Sequence, residues 1–109
     1  MSEIYKDHWE KGAYKCSKCG SILFSSDAKF DSGTIWPSFR KAEKDAVSME
    51  PDYSLGMART ELLCEKCKQH LGHVFADGRL CGDKHPEAGK RFCILSNTLK
   101  FDKKRLHSK

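Results

Sequence analysis

Apolar positions in this chain fall in short runs, separated by residues that favour turns. They predict strands over residues 13–15, 22–24, 61–64, 73–75 and 91–94. Turn signals lie between them at Cys19-Gly20, Asp31-Ser32-Gly33, Asp77-Gly78 and Gly82-Asp83. Residues 41–47 read as a short charged helix. Residues 77–89, with three Gly, one Pro and several charges, read as an exposed loop. Short strands at this spacing predict a mainly antiparallel β fold and not a helical bundle. No internal repeat is visible: a Cys-x-x-Cys pair recurs once, with unlike flanks.

The 109 residues correspond to one domain, 1–109, with a basic tail over about residues 102–109. Hydrophobic residues make up only 39% of the chain. The core of so short a chain is modest, and a cross-link or structural metal would help it hold one fold. Six cysteines change the picture. Residues 1–12 are polar, without the apolar core of a signal peptide, and no run approaches the roughly 20 apolar residues that span a bilayer. The expected setting is therefore the reducing cytoplasm, with no membrane partner, where paired cysteines more often bind metal or do redox chemistry. Net charge is +5, with Lys100, Lys103, Lys104, Arg105 and Lys109 near the C-terminus. Such a tail can attract acidic partners. A solvated terminus is the simpler expectation, and a nucleic-acid partner is not expected.

Cys16-x-x-Cys19 and Cys64-x-x-Cys67 each can set two thiolates on one metal ion, and together they match the tetrahedral sulfur cage of structural zinc. Residues 20–63 lie between the pairs, so the metal would staple distant parts of the domain. Lys15, Lys18, Lys66 and Lys68 flank the pairs and would offset the excess negative charge. Iron in the same cage, or a thioredoxin-like redox pair, are the alternatives.

Two cysteines remain. In a strand, Arg91 and Cys93 share a face, and a guanidinium beside a thiol favours the nucleophilic thiolate. A small buried core cysteine fits the same local pattern. Cys81, in the predicted loop, is either inert or able to reach Cys93 if the loop folds back. His70 and His73 would face opposite sides of a regular strand, but Gly72 permits a kink that brings both into one pocket. Histidine suits proton transfer near neutral pH; zinc ligation is the alternative, though four cysteines already fill a zinc shell. Trp36-Pro37-Ser38-Phe39 offers either an aromatic wall or a core tryptophan.

Several blocks together resemble the B-type methionine sulfoxide reductases: Cys16-Ser17-Lys18-Cys19-Gly20, Phe30-Asp31-Ser32-Gly33, Trp36-Pro37-Ser38-Phe39, Ser54-Leu55-Gly56-Met57, Cys64-Glu65-Lys66-Cys67, His70-Leu71-Gly72-His73-Val74-Phe75 and Arg91-Phe92-Cys93-Ile94. The resemblance runs from Cys16 to Phe101. It implies two antiparallel β-sheets linked by one structural zinc on Cys16, Cys19, Cys64 and Cys67, with few short helices. It also implies reduction of the R epimer of methionine sulfoxide in oxidised proteins and peptides. Cys93 would be the nucleophile, supported by Arg91, and would pass through a sulfenic acid. His70 and His73 would serve the sulfoxide oxygen. Trp36, packing on the substrate methyl group, and Phe75 would be substrate-binding. Thioredoxin or a similar dithiol would be the reductant.

The chain departs from this pattern at three places. Thr34 stands where many relatives carry a resolving cysteine, Ile35 where Gly is usual, and Leu95 where the family usually has Asn. Asn97 would share the face of Cys93 in a regular strand, roughly 13 Å away. Cys81 is left as the thiol expected to condense with oxidised Cys93, on a loop given freedom to swing by Gly78 and Gly82. A non-catalytic zinc-bound binding module and a degenerate reductase are the competing expectations.

Overall fold

The computed structural model describes Tyr5, residues 8–86 and residues 88–103, with Leu55 described for its backbone alone. Nine strands follow one another: β1 (Ala13–Cys16), β2 (Ile22–Ser25), β3 (Lys29–Phe30), β4 (Ser38–Phe39), β5 (Val47–Asp52), β6 (Arg59–Cys64), β7 (His70–Phe75), β8 (Arg91–Ile94) and β9 (Leu99–Asp102). They form two antiparallel sheets, one ordered β2-β1-β9 and the other β3-β4-β8-β7-β6-β5. Helix is confined, among the described residues, to single 3-10 turns at Ser26–Ala28, Ser54–Gly56 and Ser96–Thr98. The expected mainly β, two-sheet fold is the one observed.

Strand alternation supplies the core between the sheets. Tyr14, Leu23 and Phe24 from the smaller sheet meet Phe39, Leu62, Leu71, Phe92 and Ile94 from the larger one. Phe24 stacks on Phe39 with ring centroids 4.4 Å apart, and Tyr14 meets Phe39 edge-on at 5.1 Å. On β8, Phe92 and Ile94 are buried in this core, which turns Arg91 and Cys93 to the opposite face.

Residues 41–47 are not a helix, in contrast to the reading from sequence. They run irregularly, with a turn at Lys44-Asp45 where Asp45 has φ 58°, and Val47 already opens β5. Ala42 and Ala46 are four apart but bring too little apolar surface to hold a helix; only Ala46 is buried, and its carbonyl accepts from the Glu65 amide at 2.9 Å. β5 is an edge strand, where Val47, Met49 and Pro51 alternate with Ser48, Glu50 and Asp52 but stay mostly exposed, and Pro51 within the run masks it as a non-strand. β9 takes up residues adjoining the supposed tail, with Lys100 exposed on it. Lys104, Arg105 and Lys109 lie outside the described residues.

The segment 77–89 is a loop, but not a free one. Asp77 chelates Arg91, with Oδ1 on Nε at 2.8 Å and Oδ2 on Nη2 at 3.1 Å. Asp83 chelates Arg40 at 3.0 and 2.9 Å, and the two side chains are only 2% and 9% exposed. Arg40 also donates to the Asp27 carbonyl. The glycine-driven swing expected from sequence is therefore restrained at both carboxylates.

The Arg40 guanidinium beside Asp83 holds its carboxyl below the usual carboxylate range. A depressed value means that the pair stabilises the fold above the unfolded aspartate value of about 4 and loses that contribution as pH falls through the folded value. Arg40→Met leaves Asp83 buried and uncompensated, with an expected cost at neutral pH of about 3–5 kcal/mol. Urea unfolding followed by tryptophan fluorescence measures it, and the deficit should narrow in acid, where protonated Asp83 needs no cation.

Candidate active site and metal centre

The two Cys-x-x-Cys pairs fold as matching knuckles. In the first, Gly20 N–H donates to the Cys16 carbonyl at 2.9 Å and Cys16 N–H to Ser21 O at 2.8 Å; in the second, Lys68 N–H donates to Cys64 O at 2.8 Å and Cys64 N–H to Gln69 O at 2.9 Å. Gly20 and Lys68 take the left-handed conformation at φ 80° and 65° that each turn requires. The four sulfurs lie within 4.8 Å of one another, with Cys16–Cys67 and Cys19–Cys64 each 3.6 Å apart. Sulfurs at the corners of a tetrahedral zinc site, about 2.3 Å from the metal, are separated by about 3.8 Å. The donor set therefore fits one soft, tetrahedral metal ion. Gln69 Nε2 points at Cys16 Sγ from 3.3 Å and supports the cage from outside. Of the flanking lysines, Lys15 pairs with Asp102 at 2.8 Å and Lys68 with Glu65 at 3.2 Å, so those two charges are already shared with carboxylates.

The second site lies on the outer face of the larger sheet. Cys93, half-buried on β8, is in register with His73 of β7 on one side and Ser38 of β4 on the other. β7 carries a bulge: Gly72 pairs with Leu62 and His70 with Leu63, leaving Leu71 as the extra residue. One extra residue returns positions three apart to the same face. His70 and His73 accordingly sit together, ring centroids 5.4 Å apart. A side chain at Gly72 would collide with the Cys93 carbonyl, so the bulge needs glycine where β7 crosses behind the thiol.

These residues line a pocket of about 380 Å³. Cys93, His70, His73, Arg91, Trp36 and Phe75, all expected from sequence, are on its wall, joined by Thr34, Arg59, Gly72 and Leu95. The Arg91 guanidinium stacks over Phe75 at 4.4 Å while Asp77 grips it from the side. Asp77 raises the Arg91 pKa further, and the charges of Cys93 and Cys81 act in the same direction. Both remaining thiols thus lie in the field of one guanidinium. Cys81 itself is not on the pocket wall. It sits one turn above Asp77, its amide donating to the Asp77 carbonyl at 3.0 Å.

Neither histidine belongs to the four-sulfur cluster. His73 Nε2 bonds Asp52 Oδ2 at 2.7 Å, and His70 Nδ1 bonds Glu61 Oε2 at 2.7 Å. Hydrogen bonding from His73, then from Ser54, holds the Asp52 carboxyl well below the usual carboxylate range. Sequence reasoning missed Asp52, Arg59, Glu61 and Asp77. Arg59 and Glu61 carried a signal, two apart on β6, but the strand expected over 61–64 began two residues too late to include Arg59. Asp52 carried none, because β5 was unread. Asn97 does not substitute for the missing amide at position 95. The strand ends at Ile94, Asn97 is exposed in the following 3-10 turn, and its carbonyl accepts from Ser17 Oγ beside the first knuckle.

The SelR domain family matches residues 1–103. The peptide methionine sulfoxide reductase MsrB of Thiobacillus denitrificans is 52% identical over 101 residues, 92% of this chain and 72% of the relative. The MsrB of Leptospira interrogans gives the same identity and coverage. The mitochondrial methionine-R-sulfoxide reductase B2 of Danio rerio is 48% identical over 110 residues, covering 93% of this chain and 57% of its own. Among solved structures, the crystal structure of the Mis18 'Yippee-like' domain aligns with a TM-score of 0.64 at 18% identity, over 91% of this chain and all of that one. That last likeness speaks for the fold alone. Fold and pocket describe a cysteine-caged β protein with a thiol presented on a sheet face. Within that class the chain belongs to the SelR-domain family of B-type methionine sulfoxide reductases.

Metal analysis of the purified protein is expected to give one ion per chain. Because binding free energy at such a site is folding free energy, Cys64→Ser should lower metal content and melting temperature together. Full metal content in a normally stable Cys64→Ser protein would overturn the assignment.

Proposed function

We propose that this chain reduces methionine sulfoxide, of the R configuration, in oxidised proteins and peptides, with Cys93 as nucleophile. One observation carries the reading: the bulge in β7 puts two histidines on the face where β8 presents Cys93, inside the family's own domain. Cys93 thiolate, supported by Arg91, attacks the sulfoxide sulfur while the oxygen takes a proton from the histidine side of the pocket. The sulfur–oxygen bond then passes its oxygen to Cys93, methionine leaves reduced, and Cys93 is left as a sulfenic acid. Trp36 at the rim and Phe75 at the wall are the proposed contacts of the sulfur's substituents. Leu95 gives the pocket an apolar flank where relatives place an amide. It slows the step without changing the reaction, so the degenerate reading is the lesser one. A pure binding module has no use for this pocket.

The metal is proposed to be one structural zinc, held by Cys16, Cys19, Cys64 and Cys67, which supplies folding free energy. The described cysteines form no disulfide with one another, and a reducing compartment such as the cytoplasm is the proposed setting. No helix among the described residues is long and apolar enough to cross a membrane. Separate R and S epimers of a peptide-bound methionine sulfoxide, with dithiothreitol as reductant, test the central claim. Turnover is expected for R only, and Cys93→Ser should abolish it with fold and metal content intact. Normal R-specific activity in that variant would sink the proposal.

Recycling is proposed to run through Cys81. Cys93 sulfenic acid and Cys81 thiol condense to a disulfide and water, and a thioredoxin-type dithiol reduces the disulfide. Thr34, bonded to Ser32 Oγ at 2.9 Å, holds no thiol for the task. A disulfide needs Cα atoms within about 7 Å. With Asp77 and Asp83 anchored, the approach comes from local rearrangement of the turn at residues 78–82. Oxidation with one equivalent of substrate and non-reducing peptide mapping should yield a Cys81–Cys93 linked peptide. Persistent sulfenic acid with Cys81 free would exclude the route.

A further inference from the structure

Each pocket histidine is bound to a carboxylate by a different ring nitrogen, Nδ1 for His70 and Nε2 for His73. The partners are not equivalent. Glu61 holds His70 at a place where the imidazole is 41% exposed, whereas the His73 and Asp52 side chains are only 17% and 19% exposed. Asp52 is also held on both oxygens. Its Oδ1 accepts from Ser54 N–H at 2.9 Å, and its Oδ2, besides His73, faces Arg59 Nη2 at 3.5 Å. Arg59 in turn donates to Ser54 Oγ at 3.2 Å. Register explains the cluster: Asp52 pairs with Arg59 across β5 and β6, and Glu61 with His73 across β6 and β7.

We propose that Asp52, locked by Ser54 and Arg59, is a positioning residue that holds His73 with Nε2 protonated and turned to the carboxylate, so that Nδ1 serves the sulfoxide oxygen. A carboxylate only accepts, so the Nε2 proton is committed to it. The orienting logic is that of any base or acid whose second nitrogen is tied down by a carboxylate. A neutral His73 so held has no proton left to give at Nδ1. The proton that reaches the oxygen is therefore carried by the imidazolium and leaves from Nδ1, after which His73 remains as the Nε2–H tautomer. His73 is the cross-strand neighbour of Cys93 and His70 is not, which assigns the donor role to His73. The charged or titratable groups around it are Asp52 on β5, Arg59 and Glu61 on β6, His70 on its own strand, and Arg91 and Cys93 on β8. Asp52 and Arg59 offset one another, so the pair orients the ring without adding a net charge.

The donor assignment rests on the reductase reading, but the tautomer does not, and the test separates them. Side-chain ¹⁵N spectra of the metal-loaded, reduced protein, at a pH above the ordinary histidine range, should show His73 as the Nε2–H tautomer and His70 as the Nδ1–H tautomer. Asp52→Asn should leave metal content unchanged, mix the His73 tautomers and lower the single-turnover rate of sulfoxide reduction roughly tenfold or more, the scale usual for residues that orient a catalytic group. Glu61→Gln should alter the His70 signals and leave those of His73 in place. Asp52→Glu should restore the single His73 tautomer at least in part. A wild-type His73 that is Nδ1–H, or an Asp52→Asn protein with unaltered His73 tautomer and rate, overturns the proposal. The wild-type spectrum decides the tautomer even if the variant does not fold.

Discussion

Four sulfurs packed 3.6–4.8 Å apart set the constraint on which this small fold depends. Unit charges at such distances repel by about 1 kcal/mol in water and by several in a less polar surrounding, so the cluster cannot ionise fully without a cation. Its cysteines split accordingly. Burial opposes ionisation of Cys16, but the Cys19 and Lys18 amides outweigh it and draw the group down to about 7. The Gln69 amide favours the Cys67 thiolate, yet burial and the other three cysteines push that group up to about 11. A divalent ion would reverse the balance and turn repulsion into a cross-link. Cys16 closes β1 and Cys64 closes β6, so that link would tie the three-stranded sheet to the six-stranded one.

From that tie the pocket follows by register. β6 runs into the second knuckle's cysteine and the chain returns as antiparallel β7, where the bulge at Leu71 buries a leucine in the core and returns two histidines to the outer face. Gly72 lets β7 pass close behind Cys93. The same alternation that sinks Phe92 and Ile94 into the core lifts Arg91 and Cys93 toward the histidines. Metal cage and thiol pocket thus draw on one strand pair, β6 and β7.

What the sequence disclosed depended on whether a residue's partner was near in the chain or named by a motif. The cysteine pairs, the His70–His73 step and the Arg91–Cys93 step are local patterns, and each was legible. The kink at Gly72 was foreseeable from glycine between two histidines. Asp52 and Glu61 were not, because their relation to the histidines exists only once β5, β6 and β7 are in register. β5 hid as an exposed edge strand containing Pro51 and Glu50, and its neighbours at 41–47 imitated a charged helix. Asp83 read as a turn residue, and its buried partner Arg40 lies on the far side of the sheet sequence, beyond any spacing rule.

Charge flow in the proposed reaction matches how the pocket divides its polar groups. Negative charge starts on the Cys93 sulfur and moves to the sulfoxide oxygen as the new bond forms. Arg91 shares Cys93's strand and face, where its cation would support the starting charge, and Asp77 chelates the guanidinium there. The histidines lie across the strand boundary on β7, where the charge arrives. A single cation beside the sulfur would stabilise the thiolate and oppose its departure, since interactions equal in ground and transition state do not speed a reaction. Separating a permanent cation at the sulfur from a proton-bearing ring at the oxygen removes that conflict.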